Sequence, residues 1–219
     1  SASLSSTSSN ALFVKPSLSA SIHVQKQATP TISFNIFSKH DCAYCIVSDS
    51  AAVPNISSNS FSENKHTMIH LTEEGRGKVE ANVFSNNLYN PQDPFCSCIS
   101  IASTIAASSL PSSSSSESLI SLSNNDNNNS NSNSNFIEIN ANKFQDNDCI
   151  GITGKQASMA SIVHNTFQEN RRTAIYCKYP NMKWCIAKNT FCTSNCSTFP
   201  IVELTNATTV LFEENQFTE

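Results

Sequence analysis

Charge is scarce in this chain: Asp, Glu, Lys and Arg make up 14% of 219 residues, and the formal net charge is -4. No basic run exceeds the pair Arg171-Arg172. The sequence therefore carries no electrostatic footprint for nucleic acid. No apolar run nears the ~20 residues of a membrane-spanning helix, so no transmembrane segment is expected in this chain. Glycine is rare, with four residues, and there is one tryptophan. A collagen repeat and a glycine-rich phosphate loop are both excluded; Gly75-Arg76-Gly77 is a lone turn. Heptads, HExxH strings and nucleophile elbows are absent. The chain begins at Ser1 with no visible secretory signal, which reads as a processed product or part of a longer protein.

Ser, Asn and Thr fill the space left by the missing charge, while apolar residues reach 38%. Nine cysteines are many for a cytosolic chain of this length, and no second CxxC completes a zinc site. Glycosylation sequons stand at Asn55, Asn128, Asn195 and Asn206. Together these point to an extracellular or cell-surface protein.

One short pattern recurs: an apolar residue, two variable residues, Asn, one variable residue, Phe. The Asn positions are Asn35, Asn59, Asn82, Asn142, Asn165, Asn189 and Asn215; the Phe positions are Phe37, Phe61, Phe84, Phe144, Phe167, Phe191 and Phe217. The steps between Phe residues are 23 to 26, with one of 60. Phe13 lies 24 before Phe37 and fits a degenerate earlier copy. A second β-branched island follows most Phe residues, centred on Ile46, Ile69, Ile152, Ile175 and Ile201, with Ile22 ahead of Phe37. Each period thus holds at least two short strands separated by polar turns.

A single such coil cannot bury its apolar side, but stacked coils can. Each strand then pairs in parallel with its copy ~4.8 Å away, and equivalent residues form columns. The expectation is an all-β fold: a right-handed parallel β-helix of seven to eight coils, roughly 35–40 Å long. Phe columns would fill the interior, and Asn columns would link coil to coil through side-chain amides. A leucine-rich repeat has a similar core spacing, but Leu is rare at the repeat positions. A two-sheet sandwich is the other competitor.

The step of 60 contains two interruptions. Ile99 resumes the register seven residues late, which implies a turn insertion over Leu88–Pro94. A Ser/Asn-rich low-complexity tract then spans residues 103–135. Such a tract buries too little apolar surface to offset its ordering entropy, so a disordered loop is expected within one domain, 1–219. The alternative is a linker between two domains. Limited proteolysis should separate the readings, because a nicked single domain stays associated.

The stretch FQENRRTAIYC, Phe167 to Cys177, resembles a repeat of the polymorphic outer membrane proteins, which pair FxxN with a GGAI-type segment. FxxN stands at Phe61–Asn64, Phe84–Asn87, Phe144–Asn147 and Phe167–Asn170; His40 and Ser194 depart from it. The segments TAIY, CIGI and TMIH keep the apolar pair of GGAI but lack its glycines. The strings NTFQEN and NTFCTSN also resemble the pectin-lyase-like β-helix repeat of carbohydrate-active proteins. The first resemblance implies surface adhesion and the second polysaccharide cleavage, since one scaffold hosts both.

Candidate chemistry is sparse. Two residues after the repeat Phe stand Lys39, Glu63, Asn86, Asp146 and Glu169. Asp146 and Glu169 should lie one coil apart, with Arg171 and Arg172 nearby. That set suits a calcium or paired-carboxylate hydrolase site; a solvated turn column with a compensating Arg is the competing reading. Tyr176, Tyr179 and Trp184 cluster in one connection and could form a stacking platform, although Trp184 has the parity of a core residue. Cys42, Cys149 and Cys196 share one offset. Cys192 with Cys196, or Cys177 with Cys185, could bridge, or the cysteines could be free core residues. The five His share no offset. No cofactor or resident metal is expected. The expectation is a non-enzymatic adhesion or structural binding protein whose partners are glycans or host and cell-surface proteins. The alternative is a polysaccharide lyase or hydrolase.

Overall fold

The computed structural model describes residues 20–49, 51–72, 76–102, 137–155, 159–177, 183–192, 198–205 and 209–219. All regular structure among them is strand. The first sheet contains β1 (Ala20–Val24), β4 (Tyr44–Ser48), β7 (Thr67–Thr72), β10 (Ser97–Ala102), β13 (Ile150–Lys155), β16 (Ile175–Cys177) and β19 (Val202–Leu204). The second contains β2 (Thr31–Ser33), β5 (Asn55–Ser57), β8 (Gly77–Glu80), β11 (Ile137–Asn140), β14 (Met159–Val163), β17 (Lys183–Ala187) and β20 (Thr209–Glu213). The third contains β3 (Ile36–Ser38), β6 (Ser60–Ser62), β9 (Val83–Ser85), β12 (Lys143–Gln145), β15 (Thr166–Gln168), β18 (Thr190–Cys192) and β21 (Gln216–Thr218). Every strand therefore pairs with its equivalent one coil away, and all these pairings are parallel. The architecture is a parallel β-solenoid of about six turns, with seven strands in each sheet. Six steps of ~4.8 Å make a stack of roughly 29 Å.

The sequence motif spans two strands and the corner between them. Its Ile or Val lies in the second sheet, where Ile56 pairs with Val79 and Ile139 with Ile162. Its Phe lies in the third, where Phe84 pairs with Phe144 and Phe144 with Phe167. Two residues make the corner in every coil, the second being the repeat Asn. The first adopts a left-handed conformation throughout: Phe34, Ser58, Ala81, Ala141, His164, Lys188 and Glu214 have φ between 51° and 59°. None is glycine, so each carries a steric penalty of ~1 kcal/mol.

Two features hold that corner. The Phe rings stack from Phe37 to Phe217 with centroids 4.6 to 5.0 Å apart and planes within 15°. Phe61, Phe84, Phe144, Phe167 and Phe191 are buried, while Phe217, at the end, is 53% exposed. The Asn side chains form a ladder. Asn142 Nδ2 and its backbone N–H both donate to Asn165 Oδ1, at 3.0 and 2.9 Å. The same Nδ2 donates to Val79 O in the preceding coil. A carboxamide is suited to this column because its Nδ2 can donate to both neighbouring coils while its Oδ1 accepts from the preceding one. Asn59, Asn82, Asn142, Asn165 and Asn189 are buried; Asn35 and Asn215, at the ends, are more open.

A second ladder holds the corner between the third and first sheets. Asn64, Asn87, Asn147 and Asn170 are joined by Nδ2-to-Oδ1 bonds of 3.0, 2.8 and 3.0 Å. These are the Asn residues of FxxN, and their physical role is the same as in the first ladder. His40 has no carboxamide, but its backbone N–H donates to Asn64 Oδ1 and so ends the ladder.

The corner between the first and second sheets varies in length from coil to coil. The Ser/Asn tract enters here, between Ala102 in β10 and Ile137 in β11. Residues 103–135, together with Phe13, lie outside the described residues. The stack is continuous across the tract, since β10 pairs with β13 and β8 with β11. Ile99 holds its column between Ile69 and Ile152.

Candidate functional site

Asp146 and Glu169 occupy the left-handed position two residues after Phe144 and Phe167, in adjacent coils. The column also holds Lys39, Glu63 and Asn86, all left-handed. Asp146 is exposed and Glu169 half-buried. Lys39 Nζ lies 3.6 Å from Glu63 Oε2 further along the column. Four of the five side chains in this column are charged, and all five stand at exposed or half-buried corners. Among the described residues, no three His, Cys, Asp or Glu side chains gather to hold a metal ion.

Arg171 and Arg172 differ in their surroundings. Arg171 is exposed. Arg172 places its guanidinium carbon 3.5 Å from the Tyr89 ring centroid and 4.9 Å from that of Phe199. A guanidinium between two rings is held by cation–π attraction and stacking. It lines a cavity of about 10 Å³ with Phe167, Phe191, Phe199 and Ile201, room for no more than one water.

Tyr89 belongs to the turn insertion read from the sequence, and this segment makes an aromatic flank. Phe95, from the same loop, sits 5.8 Å from Tyr176 of β16 at 43°. Both loop aromatics thus reach across the coil of β13 to the one that begins with β16. Phe95 and Phe199 are 38% and 43% exposed, and Tyr89 and Tyr176 are half-buried. The flank therefore comprises two contact groups, Arg172 with Tyr89 and Phe199, and Phe95 with Tyr176.

Of the sequence-predicted platform, Tyr176 joins this flank. Trp184 does not: it faces the core from β17 with 0% exposure, where its indole cannot meet an external ligand. Its position two residues before Ile186 sets that orientation, because strand side chains alternate. Tyr179 lies outside the described residues. Tyr89, Phe95 and Phe199 were not legible as partners, because the contacts join loops from coils far apart in sequence.

Other candidates are scattered. His23 Nε2 is 2.7 Å from Asp49 Oδ2, and Ser21 Oγ is 3.1 Å from His40 Nε2. These are two separate pairs, since different His side chains serve the Asp and the Ser. Asn55 sits in β5, half-buried. Asn128, Asn195 and Asn206 lie outside the described residues, as does Cys196. Cys42, Cys45, Cys96, Cys98, Cys149, Cys177, Cys185 and Cys192 stand outside any disulfide, so Cys177 and Cys185 are not bridged. Burial pushes the Cys45 and Cys177 thiols up to about 12.

Comparison with protein families, with curated proteins and with solved structures gives no match. The local geometry is therefore the basis for a functional reading.

Proposed function

We propose that this chain is a non-enzymatic binding module of an extracellular or surface protein, with glycans as its ligand class. The observation that supports the reading is the aromatic flank of Tyr89, Phe95, Tyr176 and Phe199 around Arg172. Sugar rings pack their C–H faces on exposed aromatic rings, and a guanidinium adds donors for hydroxyl or carboxylate groups. The solenoid carries Tyr176 on β16, and the contacts to Arg172 and Tyr176 tie the loop rings to it, which lowers the ordering cost of binding. Its resemblance to adhesin-type FxxN repeats points the same way. Binding is tested on immobilised neutral and acidic polysaccharides with the double variant Phe95→Ala/Tyr176→Ala. Retention should drop at least tenfold while the unfolding transition stays cooperative. Equal retention by wild type and variant would remove the flank from the reading.

The alternative, a polysaccharide lyase or hydrolase, is favoured by the adjacent corner carboxylates Asp146 and Glu169. It predicts turnover that disappears in Asp146→Asn and Glu169→Gln. Such a result would overturn the non-enzymatic reading.

A further inference from the structure

Three thiols from two successive coils meet in the interior. Cys98 lies in β10, Cys96 just ahead of it, and Cys149 just ahead of β13. Ile99 pairs with Ile152, so Cys96 and Cys149 hold equivalent places, each three residues before its Ile. Cys96, Cys98 and Cys149 are 1%, 0% and 0% exposed. Cys98 Sγ and Cys149 Sγ are 3.6 Å apart. A disulfide needs ~2.05 Å, so an approach of about 1.5 Å closes the bond.

We propose that Cys98 and Cys149 form a structural disulfide when the chain folds in an oxidising environment, fastening the two coils on either side of residues 103–136. The bond would close a loop across the whole low-complexity tract, with Cys98 and Cys149 separated by 51 positions. Loop closure of this kind limits the unfolded chain. The oxidant is a low-molecular-weight disulfide. One cysteine thiolate attacks one of its sulfurs and releases one small thiol. The second cysteine then displaces the other small thiol from the mixed disulfide. Two cysteine protons are released and taken up by the two small thiols, which also receive the two electrons.

The surroundings place this chemistry in the folding chain. Cys96 is pushed above the usual thiol range by its hydrogen bond with Cys149 and by burial. At Cys149 the hydrogen bond with Cys96 pulls downward, but the bond with Cys98 and burial outweigh it, so the thiol stands well above its ordinary range. Thiolate is scarce in the finished core, so exchange there is slow in either direction. A bond made during folding is then sheltered from external thiols.

The test is oxidative refolding of the reduced, denatured chain in a glutathione redox buffer, followed by iodoacetamide quenching and tryptic mass mapping without reduction. Cleavage gives residues 79–143, which hold Cys96 and Cys98, and residues 144–155, which hold only Cys149. The expected result is a linked pair of these peptides, two hydrogens lighter than their sum. The link should persist in Cys96→Ala and vanish in Cys98→Ala and Cys149→Ala. Carbamidomethylated Cys149 in refolded wild type would overturn the proposal without recourse to any variant. A link that survives Cys98→Ala would also overturn it, by assigning the bond to Cys96.

Discussion

Asn165→Ala probes the ladder where it is fully enclosed. Asn165 Oδ1 accepts from Asn142 N–H at 2.9 Å and from Asn142 Nδ2 at 3.0 Å. Its Nδ2 donates to Ile139 O at 2.9 Å, Val163 O at 3.0 Å and Asn189 Oδ1 at 3.0 Å. Several partners keep other bonds after truncation. Asn142 Nδ2 keeps Val79 O and Asn140 O, Val163 O keeps the Ala141 N–H, and Asn189 Oδ1 keeps the Asn165 N–H. The loss therefore falls on one backbone group of the preceding coil, Asn142 N–H, because Ile139 C=O lies within the parallel β11–β14 pairing. An orphaned buried group costs roughly 1–3 kcal/mol, so Asn165→Ala should cost roughly 1–3 kcal/mol. Asn215→Ala removes the same kind of bonds at a half-buried end, where water can replace them, and should cost less than about 1.5 kcal/mol. Guanidinium unfolding followed by the fluorescence of the single, buried Trp184 measures both. Equal costs for the two variants would refute the argument that enclosure gives the ladder its strength.

Phe144→Ala, in mid-stack and fully buried, should cost about 3–5 kcal/mol, whereas Phe217→Ala at the open end should cost clearly less in the same unfolding assay. Ala141 is exposed at φ 54°, so Ala141→Gly should stabilise by about 0.5–1 kcal/mol, and Ala141→Val should raise no melting temperature. Gly151→Ala should destabilise measurably, because an added Cβ would lie 2.5 Å from Ala174 O and 3.0 Å from a Phe167 ring carbon. The Cys45 and Cys177 thiols are raised to about 12 by burial. A raised folded value gives stability that is full below the ordinary thiol range and lost above it. Reduced protein should therefore weaken between about pH 9 and pH 12, by up to roughly 1.4 kcal/mol per pH unit for each thiol. A flat pH profile in a titration of unfolding free energy would contradict that burial.

The amino-acid sequence by itself determined the coil. Its period, the alternation around each Ile and Phe, and the repeated Asn are local signals, and stacking lets such short strands bury their apolar side. The register across the tract was also legible, because Ile99 and the Asn142–Phe144 motif keep their spacing on either side. Only the tertiary structure decided the rest. The third sheet was hidden because the Ile and the Phe of one motif are too close in sequence to look like separate strands. The corner that divides them turns on left-handed residues such as Ala81 and Lys188, whose types carry no turn signal; ladder bonds from neighbouring coils hold them there. The aromatic flank and the meeting of Cys98 with Cys149 follow the same rule. Each joins residues from different coils, and their approach is set by the coil rise and by loop paths that no local pattern encodes.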